Sequence, residues 1–146
     1  MEKTIAIASD HAGYKMKLDI IKILEEQGYR VQDFGTGSGE SVDYPDYGHP
    51  LAEAVVSGEH TLGISLCGSG NGINMVTNKH QGIRGALCWN KEITRLARKH
   101  NDANLCSLPA RFIDLELAKE IVHIFLTTPF DGGRHQNRIQ KIPLQT

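Results

Sequence analysis

The 146-residue chain is long enough to form one domain that buries most of its apolar surface. Its formal net charge of −1 at pH 7 and its lack of a long apolar stretch argue against nucleic acid and membranes as partners. Three cysteines without C-x-x-C spacing argue against disulfides and structural zinc, and together with the N-terminal sequence they favour a soluble cytoplasmic protein.

Short apolar runs alternate along the chain with segments of helical period. The runs are bounded by turn residues and are typical of buried strands, whereas the periodic segments carry helix-capping residues. In chain order we predict strand 4–8, helix 14–27, strand 29–35, a Gly- and Ser-rich loop 35–48, helix 50–56, strand 62–67, helix 72–79, strand 83–88, helix 91–100, strand 104–108, helix 114–126 and a short helix within 132–142.

This alternation predicts right-handed βαβ units on a parallel sheet. We therefore expect an α/β fold, a single Rossmann-like domain with a five-stranded parallel sheet and helices on both faces. The domain should comprise residues 1–146, with 131–146 as a basic C-terminal helix or tail.

Ligands of open parallel sheets bind outside the carboxyl ends of the strands. Three segments there carry polar or small residues: SDHAG at 9–13, CGSGNG at 67–72 and PAR at 109–111. The glycine segment lacks the Lys-Ser/Thr pair of a phosphate-binding P-loop and the spacing of a dinucleotide fingerprint. Its glycines indicate close approach of the backbone to an anion or oxyanion.

Cys67 has two interpretations. A strand cysteine is usually a small buried hydrophobe, and we interpret Cys88 and Cys106 in this way. Cys67 differs because a helix is predicted to begin just beyond it, and the positive end of a helix dipole favours thiolate. We therefore expect Cys67 to be reactive.

The polar residues near the other strand and helix ends also have ordinary structural roles. Asp10 could be the N-cap of the first helix, and His11 could be a solvated residue of its first turn. His100 would interact favourably with the dipole at the end of a helix, where Asn101 would be a common C-cap.

Two arginines in the tail suggest an anion site. Arg134 and Arg138 are four residues apart and therefore lie on one helical face. No acidic residue occurs from 132 to 146, although a solvated tail usually mixes charges. Two guanidinium groups on one face suit a phosphate.

Several motifs together resemble one family. They are SDHAGYKMK, DFGTGSGESVDYPDY, CGSGNGI, GIRGALC, RKHNDAN and GGRHQNR, and they extend over nearly the whole chain. In combination the chain is similar to ribose-5-phosphate isomerase type B, a family that also includes galactose-6-phosphate and allose-6-phosphate isomerases. The resemblance implies a Rossmann-like fold that forms dimers or tetramers of dimers.

The resemblance also implies roles for individual residues. Cys67 would be the base that moves a proton between C1 and C2 of the sugar, and His100 would open the sugar ring. Ser69 would assist the glycine segment in holding the enediolate. The implied substrate-binding residues are Asp10, His11, Gly68, Gly70, Asn71, Gly72, Asn101, Arg111, Arg134 and Arg138.

Some positions depart from the family pattern. Ser69 stands where threonine is common and keeps the hydroxyl. Asn71 and Asn74 replace residues that are usually apolar or small, and LPAR replaces a glycine-containing turn before Arg111. These differences bear on the sugar rather than on the reaction.

The chemistry needs a base, donors for the enediolate oxygen and a group that opens the ring, so we expect no metal and no cofactor. The predicted reaction interconverts ribose 5-phosphate and ribulose 5-phosphate. Alternatives are isomerisation of a 6-phosphohexose, a non-catalytic sugar-phosphate-binding protein, and a thiol hydrolase or acyltransferase that uses Cys67 with His100. The last would leave the arginines without a role.

The predicted topology separates Cys67 from His100. Cys67 ends the third strand, whereas His100 ends a helix that runs back across the sheet, so the two should lie at opposite edges. The reaction needs both at one small substrate. We therefore predict a symmetric homodimer whose sites take Cys67 from one chain and His100 from the other, and the sequence leaves open whether dimers pair further.

Overall fold

One parallel sheet organises the fold, which we describe from a computed structural model covering residues 4–60 and 62–145. The termini of the predicted 1–146 domain and residue 61 lie outside this description. The strands are β1 Thr4–Ser9, β2 Arg30–Asp33, β3 Leu62–Cys67, β4 Gly85–Leu87 and β5 Leu105–Pro109. Their order is β2-β1-β3-β5-β4, and every neighbouring pair is parallel. The predicted five-stranded parallel sheet is confirmed.

Six helices follow the strands in the described part of the chain. They are α1 Tyr14–Glu26, α2 Pro45–Val56, α3 Asn71–Thr77, α4 Lys91–Asn101, α5 Leu115–Thr127 and α6 Arg134–Ile139. Side-chain caps begin two of them, because Asn90 Oδ1 accepts from Ile93 N–H at 2.8 Å and Asp114 Oδ1 from Leu117 N–H at 2.8 Å. Within residues 4–60 and 62–145, no helix is long and apolar enough to cross a bilayer.

The helices cover both faces of the sheet, as predicted. One face packs against α1, α4 and α5 and forms the larger apolar core, which includes Ile7, Leu66, Leu108, Ile121 and Phe125. The other face packs against α2 and α3 over a smaller core that includes Ala6, Ala8, Leu51 and Leu105. Because strand side chains alternate, Ser65 and Cys67 project toward the α2 and α3 side.

Three predicted elements have wrong boundaries, and one of them is β2, which covers only Arg30–Asp33 of the predicted 29–35. Helix α2 begins at Pro45 rather than at Pro50, which lies inside the helix. Proline fits well at the first helical position, so Pro45 starts the helix and Pro50 removes only one backbone hydrogen bond from it. Strand β4 is shorter than predicted, because Ile83 N–H donates to His80 O in a turn at 3.1 Å.

A buried lysine joins α1 to the end of β2. Lys17 Nζ donates to Asp33 Oδ1 at 2.7 Å and to Thr36 O at 2.6 Å, and its side chain is fully buried. The segment it holds continues the pairing with β1, since Ser9 N–H donates to Gly35 O at 2.8 Å. Lys17 thus fixes the start of loop 34–44 against the carboxyl end of the sheet.

Replacing Lys17 with Met should lower the free energy of unfolding by about 2 kcal/mol, because Thr36 loses a buried donor and Asp33 loses its partner. Urea unfolding followed by circular dichroism measures the change. The exposed Lys22 on the same helix provides the control, and Lys22→Met should stay within about 0.5 kcal/mol of wild type. A Lys17→Met protein as stable as this control would contradict the assigned role.

Candidate active site

The strand order places a crevice between β1 and β3. From β1 the chain connects to β2 on one side, whereas β3, β5 and β4 extend the sheet on the other, so β1 and β3 flank the topological switch point. Ligands of such sheets bind at this point. The two strands end at Ser9 and Cys67, and Asp10 N–H donates to Leu66 O across the gap at 3.2 Å.

Asp10 forms a turn at the end of β1 and is not the N-cap of α1. The helix begins at Tyr14 with Gly13 in the cap position and no side-chain cap. Asp10 Oδ1 instead accepts from Ala12 N–H at 2.9 Å and Gly13 N–H at 3.2 Å, and the residue is only 6% exposed. The carboxylate is therefore held at the mouth of the crevice.

His11 is oriented by the loop that Lys17 anchors. Val42 N–H donates to His11 Nδ1 at 3.2 Å. Since Nδ1 accepts this bond, the proton of the neutral ring is on Nε2, which can donate to a ligand. The bond from Val42 orients the His11 side chain, and because His11 is partly exposed, the ring is accessible from solvent.

The glycine segment forms a tight turn after Cys67. Ser69 Oγ accepts from Asn71 N–H at 3.2 Å, so the hydroxyl proton of Ser69 remains available as a donor. Gly70 has φ +76°, and a Cβ there would lie 2.6 Å from Leu87 Cδ1. Only glycine fits this position. The turn therefore brings backbone N–H groups close to a cysteine that is 5% exposed.

The side chains of Arg111 and Tyr44 pack against this turn. Arg111 N–H donates to Gly68 O at 3.0 Å, and its guanidinium packs over the same glycine, where a Cβ would lie 3.1 Å from Nη1. Tyr44 packs over Gly72, where a Cβ would lie 2.6 Å from the Tyr44 Cζ. The structure thus brings together a thiol half-site, which we define as Asp10, His11, Cys67, Gly68, Ser69, Gly70, Asn71, Gly72 and Arg111.

The other two cysteines have different surroundings. Cys88 and Cys106 are fully buried in the core on the α4 and α5 side. A hydrogen bond with Cys106 lowers the pKa of Cys88, whereas burial raises the pKa of Cys106. Both residues have the packing expected of structural cysteines.

A second group of predicted residues lies at the end of α4. His100 stacks on His135 of α6, with ring centroids 4.3 Å apart and an interplanar angle of 13°. Asn101 is exposed and precedes Asp102, the actual C-cap, which has φ +46°. We define the histidine half-site as His100, Asn101, His135, Arg134 and Arg138.

Positive charge concentrates in the histidine half-site. Arg134 and Arg138 are exposed on α6, one turn apart and on either side of His135. Partial burial lowers the pKa of His135, and the charges of His100, Arg134 and Arg138 lower it further. This surface is suited to an anion.

The two half-sites lie at opposite ends of the sheet. Cys67 pairs with Pro109 at the end of β5, whereas Asn104 precedes the first residue of β5 and pairs with Arg84. Arg84 Nε donates to Asn101 O at 3.1 Å, which places Asn101 near this beginning. A five-residue strand spans roughly 13 Å. The structure therefore does not bring Cys67 and His100 of one chain together.

The sequence profile of the family described as Ribose/Galactose Isomerase matches residues 5–142. The chain belongs to this family. It is 44% identical over 140 residues to ribose-5-phosphate isomerase B from Escherichia coli (strain K12), an alignment that covers 96% of this chain and 94% of the relative.

Solved structures of family members match the fold closely. A ribose 5-phosphate isomerase from Thermotoga maritima is 50% identical with a TM-score of 0.96, covering 98% of this chain and 99% of that one. Ribose-5-phosphate isomerase B from Mycoplasma genitalium with bound ribulose-5-phosphate is 39% identical with a TM-score of 0.93, covering 97% and 95%. The resemblance inferred from the motifs is confirmed.

Sequence reasoning missed two side chains that this isomerase fold places at the half-sites. Tyr44 lies within the Gly- and Ser-rich loop predicted for 35–48, but its packing on Gly72 depends on where α2 begins. His135 lies between the two arginines singled out in the tail, and its stacking on His100 depends on the contact between α4 and α6. Its position directly after Arg134, in a tail already predicted to bind an anion, could have identified His135 as a site residue.

Proposed function

We propose that this chain interconverts ribose 5-phosphate and ribulose 5-phosphate with Cys67 as the base. The aldose–ketose isomerase activity follows from its family, and a relative of the same fold binds ribulose-5-phosphate. The observation that carries the role of Cys67 is its position at the switch point, between the end of β3 and the glycine turn that begins α3.

The thiol half-site can perform the proton transfer. The Cys67 thiolate takes the proton from C2 of the open-chain aldose, which gives an enediolate with its charge on O1, and later returns the proton to C1. Between these transfers the hydroxyl proton on O2 moves to O1, so that collapse of the enediolate leaves a carbonyl at C2. The backbone N–H groups of the Gly68–Gly72 turn and the Ser69 hydroxyl stabilise these oxygens, except for the Asn71 N–H, which is already bonded to Ser69 Oγ. One such donor typically lowers a barrier by about 3 kcal/mol when it is aimed correctly.

The neighbouring residues bind the sugar. His11 Nε2–H can donate to a substrate oxygen, because its Nδ1 is occupied by Val42 N–H. Asp10 can accept from a sugar hydroxyl with the carboxylate oxygen that the turn does not hold, and Arg111 adds positive charge beside Gly68. These contacts would orient the chain of the sugar against the thiolate.

The remaining tasks fall to the histidine half-site of a second copy. Pentose phosphates rest largely as closed rings, so His100 would open the ring by acid–base catalysis. Asn101 would bind the sugar, and Arg134 and Arg138 would bind the phosphate. We infer a homodimer in which each site combines the thiol half-site of one chain with the histidine half-site of its partner.

Two observations support this homodimer. The half-sites of one chain are separated by the length of β5, so a complete site needs another chain. Large apolar side chains are also exposed on the segments that follow β3, β4 and β5, namely Met75 at 64%, Trp89 at 52% and Phe112 at 75%. Exposed apolar residues next to a site are typical of an interface.

We place this isomerase in the cytoplasm and in pentose phosphate metabolism. Its three cysteines are all free and buried, which suits a reducing compartment. The alternative substrate class is a 6-phosphohexose, because Asn71 at the turn is exposed and could reach an additional hydroxyl. Turnover across a panel of pentose and hexose phosphates, followed by NMR in heavy water, distinguishes the two classes.

Cys67→Ala should reduce isomerisation by orders of magnitude while ribulose 5-phosphate still binds, because the base is lost and the donors remain. NMR detection of solvent-proton exchange measures the chemical step, and calorimetry measures binding. Cys88→Ala is the matched control and should keep its activity. Retained exchange in the Cys67→Ala protein would exclude this thiol as the base.

Arg134→Ala and Arg138→Ala should each raise KM for phosphorylated substrates by about tenfold or more, since a charge-assisted hydrogen bond is worth about 1.5–3 kcal/mol. The effect on an unphosphorylated sugar should be much smaller. Lys141→Ala removes an exposed positive charge nearby and serves as the control. Equal losses on both kinds of substrate would assign the arginines a structural role instead.

Mixing inactive Cys67→Ala with inactive His100→Ala protein should restore activity. Random exchange makes about half the dimers mixed, each with one intact site, so activity should approach about a quarter of wild type. Mass spectrometry verifies that subunits have exchanged. If exchange is complete and activity does not return, the shared site is disproved.

A further inference from the structure

Three polar side chains form a continuous chain between the sheet and α3. Ser65 Oγ and Ser107 Oγ are 2.7 Å apart, and Ser107 Oγ donates to Asn74 Oδ1 at 3.0 Å. Both serines are fully buried. We call this arrangement the polar chain.

The polar chain lies directly below the thiol. Ser65 precedes Cys67 by two residues, so both side chains project from the same face of β3. Ser107 likewise precedes Pro109, the residue of β5 that pairs with Cys67. Ser65 and Ser107 are therefore the pair of facing residues next to Cys67 and Pro109 on the same side of the sheet. An apolar pair would be usual at such a buried position.

The direction of the hydrogen bonds is determined by Asn74. Its Oδ1 can only accept, so Ser107 uses its single proton on Asn74 and must accept from Ser65. A hydroxyl pair of this kind is costly to bury unless its last proton has an acceptor. Asn74 supplies that acceptor and thereby ties α3 to β3 and β5 at a defined position.

Asn74 also belongs to the first turn of α3, next to the glycine segment. Its N–H donates to Gly70 O at 3.2 Å. The opposite end of α3 has a second tie, because Asn78 Oδ1 accepts from Gly85 N–H at 2.9 Å and Asn78 Nδ2 donates to Gly85 O at 3.0 Å. Asn78 Nδ2 also donates to Asn74 O at 3.1 Å, a bond to the backbone and not to the Asn74 side chain. Only the tie at Asn74 is adjacent to the turn beside Cys67.

We propose that Asn74 is a positioning residue, which through Ser107 and Ser65 holds the Gly68–Gly72 turn at the correct distance from the Cys67 thiolate. Apolar packing of α3 is non-directional and would allow small shifts of the helix, whereas a hydrogen-bonded chain selects one position. A shift of about 1 Å at a reacting group can cost about a hundredfold in rate. This inference rests on the isomerase function proposed above.

The kinetic experiment compares variants at the two ends of α3. Asn74→Ala and Ser107→Ala should each lower kcat by about tenfold to a hundredfold with little change in KM, because substrate binding elsewhere is intact. Asn74→Asp keeps the acceptor oxygen and should restore most of kcat. Asn78→Ala, the matched control, should lower thermal stability to a similar extent and leave kcat within about twofold of wild type.

A measurement without substrate separates this inference from the function itself. Iodoacetamide alkylation of Cys67 in the free protein, followed by peptide mass spectrometry over a range of pH, reports the environment of the thiolate. Its pH profile should change in Asn74→Ala and Ser107→Ala and stay as in wild type in Asn78→Ala. This readout remains decisive if the wild-type protein fails to turn over ribose 5-phosphate, an outcome that would reject the function alone.

Two results would overturn the positioning role. One is an unchanged kcat and an unchanged alkylation profile in folded Asn74→Ala and Ser107→Ala proteins. The other is an equal loss of kcat in Asn78→Ala, which would attribute the effect to general loosening of α3. If Asn74→Ala does not fold, Ser107→Ala alone decides, since it breaks the same chain at its middle.

Discussion

A parallel sheet forces the chain to alternate between two ends of the molecule. Each strand delivers its last residue to one end, and each following helix carries the chain back to the other. Cys67 ends a strand and His100 lies at the end of a helix, so no rearrangement of side chains in one chain can unite them. Every functional inference above that involves a second copy follows from this constraint.

The same constraint explains why the thiol half-site contains so few long side chains. At the switch point the chain forms short turns after β1 and β3, which are closed by the short side chains of Asp10 and Ser69 rather than by extended side chains. The side-chain oxygens of Asp10 and Ser69 stabilise the two turns by accepting hydrogen bonds from backbone N–H groups of the same turn. Lys17 holds the start of the adjoining loop through its bonds to Asp33 and Thr36, which need no ligand to form.

Local sequence signals predicted most of the fold. Apolar runs located all five strands, and helical periodicity located α4 and α5 to within one residue at each end. The start of α2 was misplaced, since two prolines five residues apart are both plausible first residues and only packing selects Pro45. Strand order was not predictable in this way, because it depends on which helices share a face.

The candidate site was predictable where its residues follow strand ends, as Asp10 and Cys67 do. Contacts between distant segments were not. The stacking of His135 on His100 requires the contact between α4 and α6, and the bond from Ser107 to Asn74 requires a particular rotation of α3 over the sheet. Neither is encoded in spacing along the chain. The departure of Asn74 from its usual residue type marked the position without revealing its partner.

Asn78 has a consequence for how copies of this chain can associate. Strand β4 is at the edge of the sheet, and the outward N–H and C=O of Gly85 are both bonded to the Asn78 side-chain amide. The Asn78 amide makes the two hydrogen bonds that a neighbouring strand would make to Gly85. The N–H and C=O of Gly85 are therefore not free to pair with the backbone of another chain. Growth of the sheet through this edge is thereby blocked at Gly85. Self-association of the chain is directed away from continuous β-structure and toward surfaces formed by side chains.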